Sequence, residues 1–208
     1  MNLARPLEVI SPAVDGDVLT VLAGGQGGLT GRAIHQRVPA ALRTVQLALD
    51  RLVRQGVAVR ESIGNSHLYR LNDEHLATPW ILGLAALRLQ LVAALREQIE
   101  TWEIQPIAVV LFGSAARGDM TVTSDLDLLL VRASLIDPDD ERWRGQLAEL
   151  ARSATAWTGN DARIVEYCEG ELTGTTSEPM IHEAAFEGID IVGSLRTVLR
   201  RNRNRAGS

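Results

Sequence analysis

Residues 109–131 read VVLFGSAARGDMTVTSDLDLLLV, and they decide the fold of the C-terminal half. Val109 to Phe112 is an apolar run of the length of a buried strand, and it stops abruptly at Gly113-Ser114. A short helix-like turn carrying Arg117 follows. A second strand opens with Asp125-Leu126-Asp127 and continues through Leu128, Leu129, Leu130 and Val131. Alternate residues of a strand share a face, so Asp125 and Asp127 project together while Leu126 and Leu128 face the core. Two neighbouring carboxylates repel each other, and a divalent cation is the usual remedy. Mg²⁺ takes one or two carboxylates together with nucleotide phosphates. Gly113 lets backbone come close to a ligand, and the turn at Ser114 opens a helix whose free N–H groups, with the Ser114 hydroxyl, suit phosphate oxygens.

Gly113-Ser114, ten residues, then Asp125-x-Asp127 resembles the signature of the polymerase-β-like nucleotidyltransferases. It is most similar to the minimal members, among them the antitoxin-type enzymes that add AMP to partner proteins. The resemblance implies Mg²⁺- or Mn²⁺-dependent transfer of a nucleoside monophosphate from an NTP, with ATP expected, to a hydroxyl on protein or RNA. In that reading Asp125 and Asp127 hold two metal ions, and Gly113, Ser114 and Arg117 bind the triphosphate. The superfamily also places a third acid on a later strand. The candidate strand here is 161–168, after a helix over roughly 141–157. Where simple relatives carry that acid, this chain has Arg163. Asp161 shares the face of Arg163 one pleat away and is the expected third catalytic acid, with a strand-capping loop aspartate as the alternative. Glu166 points to the opposite face. Should neither acid reach the metal, the domain would bind nucleotide with little turnover, and the chain would be a nucleotide-sensing transcription regulator.

Composition narrows the chemistry further. All 21 basic residues are arginine. With no lysine there is no Walker-type phosphate lysine, no Schiff base and no nucleotidyl-lysine intermediate, so transfer must rest on metals and arginine. A net charge of −5 gives no bulk attraction to nucleic acid, so any such contact needs a local patch. The single cysteine, Cys168, excludes an internal disulfide and a cysteine zinc site. No secretion signal is evident, and the apolar stretch 80–95 is too short to span a membrane and is interrupted by Arg88. A cytoplasmic protein is expected.

The N-terminal third alternates helical patterns with turn signals. A helix over 15–23 ends at Gly24-Gly25-Gln26-Gly27-Gly28, and Thr30 stands at an N-cap position ahead of a helix over 31–37. Pro39 suits the start of the next element, and from Ala41 the residues Leu42, Val45, Leu49, Leu52 and Val53 fall on one helical face closed by Gly56. Strands over 57–61 and 67–71 flank the hairpin signal Ile63-Gly64-Asn65-Ser66. Helix, helix, turn, helix and two-stranded wing resemble the winged helix-turn-helix domains of the ArsR and MarR regulators. That resemblance implies DNA binding through Arg37, Arg43, Thr44 and Gln46, with Arg60, Asn65, Ser66 and His67 on the wing. A docking or dimerisation module is the alternative, because acids and arginines are about balanced in this segment.

Thr78-Pro79 opens what reads as one long helix to about Glu103, with an apolar stripe of Leu84, Leu87, Leu91, Leu95 and Ile99. The stripe suits either an intrachain core or a homodimer. Beyond Cys168, residues 179–187 read as an amphipathic helix, 189–193 as a short buried strand, and the arginine-rich end as a solvated basic tail. The expected architecture is thus α/β (α+β): a winged helix-turn-helix domain (1–75), a connecting helix (76–104), a nucleotidyltransferase-type mixed sheet flanked by helices (105–195) and a tail (196–208).

Overall fold

The computed structural model describes residues 1–11, 13–25, 27–172 and 178–206, the side chains of 205 and 206 apart. The chain separates into two compact units, one of residues 4–87 with Asn2 and the other of residues 88–208 with Met1 and Leu3.

In the N-terminal unit a 3₁₀ turn (Pro6–Val9) precedes α1 (Val14–Ala23), β1 (Leu29–Thr30), α2 (Gly31–His35), α3 (Leu42–Arg54), β2 (Ala58–Ile63), β3 (Ser66–Leu71) and α4 (Thr78–Ala85). The Thr30 side chain accepts from the Ala33 amide at 3.2 Å, the N-cap bond that its position predicts. Val45, Ala48, Leu49 and Leu52 are the buried face of α3, at the three- and four-residue steps of a helix. They pack with Val18, Leu22 and Ile34 into one core. Pairing of Ile63 with Ser66 leaves Gly64-Asn65 as a two-residue hairpin turn, with Gly64 at φ +57°. The antiparallel sheet runs β1-β3-β2. Its first strand is two residues long, too short for any periodicity to announce it. Gln26, in the expected glycine-rich turn, lies outside the described residues.

The other unit contains α5 (Leu87–Glu100), β4 (Ala108–Phe112), α6 (Gly113–Arg117), β5 (Leu126–Arg132), α7 (Glu141–Thr158), β6 (Ala162–Cys168), α8 (Pro179–Phe186), β7 (Ile189–Val192) and α9 (Leu195–Ala206). The mixed sheet runs β6-β5-β4-β7. The β5–β6 pair is parallel, with α7 as the crossover, and β4 is antiparallel to both β5 and β7. Every residue of β4 is buried, as is every residue of β5 except Asp127. Strands covered on both faces read as continuous apolar runs, which is why 109–112 and 128–131 stand out in the sequence. Asp140 caps α7 by accepting from the amides of Arg142 at 2.9 Å and Trp143 at 3.3 Å.

Two expectations need correction. The single helix from Thr78 is two helices, α4 and α5, separated at Ala86, whose amide closes α4 on Leu82 and Gly83 at 3.0 and 3.2 Å. The apolar stripe serves two cores: Leu84 packs in the N-terminal core, while Leu91, Leu95 and Ile99 are buried in α5. The arginine-rich end is likewise no loose tail, since α9 buries Leu195 and Val198. Among the described residues, no single helix is long and apolar enough to cross a membrane.

Candidate active site

The sheet register brings the motif to one edge. Phe112, the last residue of β4, pairs with Asp127, and Asp127 pairs in turn with Arg163 on β6. Leaving β4, the chain turns at Gly113 with φ +68°, a conformation in which side chains are strained. A Cβ built at Gly113 would lie 2.9 Å from Oδ2 of Asp127, so the missing side chain leaves room for that carboxylate. Sequence spacing alone placed Gly113 near the acids; the structure adds that the contact is with Asp127.

Several bonds fix the loop that follows. The Ser114 carbonyl accepts from the amides of Gly118 and Asp119, each at 3.0 Å, and Arg88 donates to the Ala116 carbonyl at 3.0 Å. Met120 is fully buried. Asn160, 2 % exposed, donates to the carbonyls of Thr121 at 2.9 Å and Ser124 at 2.7 Å, and so holds the segment leading into Asp125. Leu126 donates to the Asp161 carbonyl at 2.8 Å, which starts the parallel ladder. Asn160 escaped the sequence reading because it looks like an ordinary residue ending a helix.

The acids differ in their surroundings. Asp125, just ahead of β5, forms an ion pair with Arg163, Nη1 and Oδ2 lying 2.7 Å apart. Arg163 also lies 3.6 Å from Asp161, whose side chain is 71 % exposed. Asp161 therefore stands beside the arginine rather than beside Asp127. Burial pushes the Asp127 carboxyl above the usual carboxylate range; repulsion from Asp125 and Glu183 adds to this, and Arg163 pulls the other way. Glu183, on α8, was not picked out in the sequence, where it is one acid on an amphipathic helix. It pairs with Arg117, which also lies 3.5 Å from Asp119. That hydrogen bond to Glu183 is the main reason the Arg117 guanidinium holds its proton still more firmly than usual.

Glu166 serves structure on the other face, accepting from Arg132 at 2.6 Å and from the Trp143 indole at 3.0 Å. Among the described residues, no three His, Cys, Asp or Glu side chains form a metal-holding group. The donor set at the Gly113 corner is two carboxylates, which fits an ion that takes its remaining ligands from phosphate and water.

In the N-terminal unit, Arg37, Arg43, Thr44, Gln46, Arg60, Asn65 and His67 are all exposed. Gln46 and His67 line one cleft together with Thr30, Arg32 and Tyr69, and His67 Nδ1 is 3.2 Å from Ser62 Oγ.

Residues 92–141 match a family model described as a nucleotidyltransferase domain. No curated protein matches the chain. Among solved structures, it is similar to a toxin–antitoxin protein crystallised with AMP-PNP, at 16% identity over 56% of this chain and 86% of that one, with a TM-score of 0.39. A putative nucleotidyltransferase from Sulfolobus solfataricus aligns at 18% identity over 50% of this chain and 81% of that one, with a TM-score of 0.32. The archaeal chromatin protein TrmBL2 aligns at 14% identity over 79% of this chain and 70% of that one, with a TM-score of 0.31. Residues 92–141, the span similar to a nucleotidyltransferase domain, contain the Gly113 corner and the Asp125–Asp127 pair.

Proposed function

We propose that this chain transfers a nucleoside monophosphate from an NTP, ATP in the first instance, to a hydroxyl acceptor on protein or RNA. The observation that carries this reading is the Asp127 carboxylate held against the side-chain-free Gly113, with its charge unfavourably placed beside Asp125 and Glu183. Asp125 and Asp127 would hold Mg²⁺ or Mn²⁺, which when bound offsets phosphate charge and stabilises the leaving oxygen. Ser114, half-buried at the turn, would offer its amide and hydroxyl to phosphate oxygens. Arg117 would face the triphosphate from the end of α6. The acceptor oxygen attacks the α-phosphorus and a new O–P bond forms. The bond to the β-phosphate bridging oxygen breaks, and pyrophosphate leaves with that electron pair. The hydroxyl proton passes to water, because the site is open: the side chains of Asp125 and Arg163 are 34 and 60 % exposed.

The direct test is incubation with Mg²⁺ and α-labelled NTPs, alone and with cell extract. Wild type is expected to label a macromolecule, and the Asp125→Asn/Asp127→Asn double variant is not. Equal labelling by both would end the enzymatic reading.

The N-terminal unit we read as a winged helix-turn-helix that binds DNA and regulates its own operon. Exposed Arg43, Thr44 and Gln46 on α3, with Arg60, Asn65 and His67 on the hairpin, support that reading. Cytoplasm is the compartment consistent with both activities. A second reading, a nucleotide-sensing regulator without turnover, draws support from the arginine paired to Asp125. It expects a mobility shift on the chain's own upstream DNA that responds to ATP while no transfer product forms.

A further inference from the structure

We propose that the site takes one divalent cation instead of two, the Arg163 guanidinium filling the place of the second positive charge. This rests on the nucleotidyltransferase reading and sharpens it.

Of the four acids Asp125, Asp127, Asp161 and Glu183, three are already answered by arginine, as is Asp119 within the motif loop. Asp125 is ion-paired with Arg163 at 2.7 Å, Asp161 lies 3.6 Å from the same guanidinium, and Glu183 is paired with Arg117. Among the described residues, only Asp127 of the four has no ion pair within 4 Å, and it faces the Gly113 corner. A carboxylate that bridges two metal ions must give an oxygen to each. Oδ2 of Asp125 is instead taken up by an ion pair, 2.7 Å from a guanidinium nitrogen of Arg163.

The arginine is fixed there by the fold. The parallel ladder sets Arg163 beside Asp127, and Asp161 flanks it from the residue before the strand. Two carboxylates and one guanidinium leave a net charge near −1, which favours one divalent ion carried in with the nucleotide over a pair of ions. Arg163 then stands where a third carboxylate would be needed to hold a second ion. It also places a permanent positive charge beside the reacting phosphates.

The test counts metal directly. Purified full-length chain is dialysed to equilibrium against Mn²⁺ with saturating α,β-methylene-ATP, and bound Mn²⁺ and bound nucleotide are measured per chain. Wild type should hold one Mn²⁺ per bound nucleotide, and Arg163→Asp, which supplies a third carboxylate, should hold two. Arg163→Ala, exposed enough to fold normally, should keep one ion and bind it severalfold more tightly because Asp125 is released. Two ions in wild type, one ion in Arg163→Asp, or unchanged affinity in Arg163→Ala would each overturn the one-ion assignment. No Mn²⁺ in any form would instead overturn the nucleotidyltransferase reading itself.

Discussion

Asp17 in the N-terminal unit and Asp127 in the C-terminal unit are both withdrawn from water, yet the chain answers them differently. Asp17, 8 % exposed, accepts two parallel bonds from Arg5, at 2.7 and 2.8 Å. Asp127 has no ion pair of its own: it leans on a glycine, has two acids for neighbours and only an arginine already paired with Asp125 and Asp161, and its carboxyl is pushed upward by burial. A fold that needs an acid for its own integrity supplies the counter-charge, as it does again for Glu166 with Arg132 and Trp143. An acid kept without one marks a place where charge must come from outside.

The largest effect should come from removing the unanswered acid. Asp127→Asn is expected to lower transfer by about 100-fold or more, the scale of losing a preorganised electrostatic group. The same variant should make the metal-free protein more heat-stable at pH 7. Asp127 has its folded pKa raised, so its favourable contribution is complete below the ordinary carboxylate value and is lost as pH rises through the raised value. The stability advantage of Asn should therefore shrink toward zero below about pH 4, near the ordinary aspartate pKa. Thermal melts of both proteins across pH would show it, and equal melting at pH 7 would remove the contrast with Asp17.

Asp17→Ala should do the opposite. It leaves Arg5 without its main partner and is expected to cost about 2 kcal/mol in urea unfolding, less than a fully buried pair because Arg5 is a third exposed. Nucleotide binding by the other unit should not change. Asn160→Ala leaves the Ser124 carbonyl without its donor and the Thr121 carbonyl with only the Ser124 amide, and should cost about 2 kcal/mol, with transfer reduced as the loop before Asp125 loosens. If Asn160→Ala weakens folding but leaves transfer per folded molecule untouched, the loop does not position the acid. Smallest in stability is Gly113→Ala, at about 1–2 kcal/mol for a left-handed residue. Its Cβ would also crowd Asp127, so Mn²⁺ affinity should fall with it.

What the sequence made legible follows where physics is local. The runs 109–112 and 128–131 declare buried strands, the Gly-Ser turn declares a corner, and the Asp125-x-Asp127 spacing declares two acids on one edge. The Thr30 cap and the Gly64-Asn65 turn were readable for the same reason, each being a few-residue rule. Glu183 and Asn160 were not, because what distinguishes them is who meets them across the fold. The break at Ala86 lacks a proline or glycine at the point of breakage and arises from a stripe divided between two cores. The C-terminal helix did have a signal. Leu195, Val198 and Leu199 stand at helical spacing, but the arginines around them made the segment look like a solvated tail.

Crystals of the full chain grown with Mn²⁺ and α,β-methylene-ATP, measured at the manganese absorption edge, test the central claim most directly. An anomalous peak at about 2.1–2.2 Å from a carboxylate oxygen of Asp127, with the triphosphate turned toward Gly113 and Ser114, is the expected result. Nucleotide bound elsewhere, or a manganese peak that avoids Asp127, would contradict it.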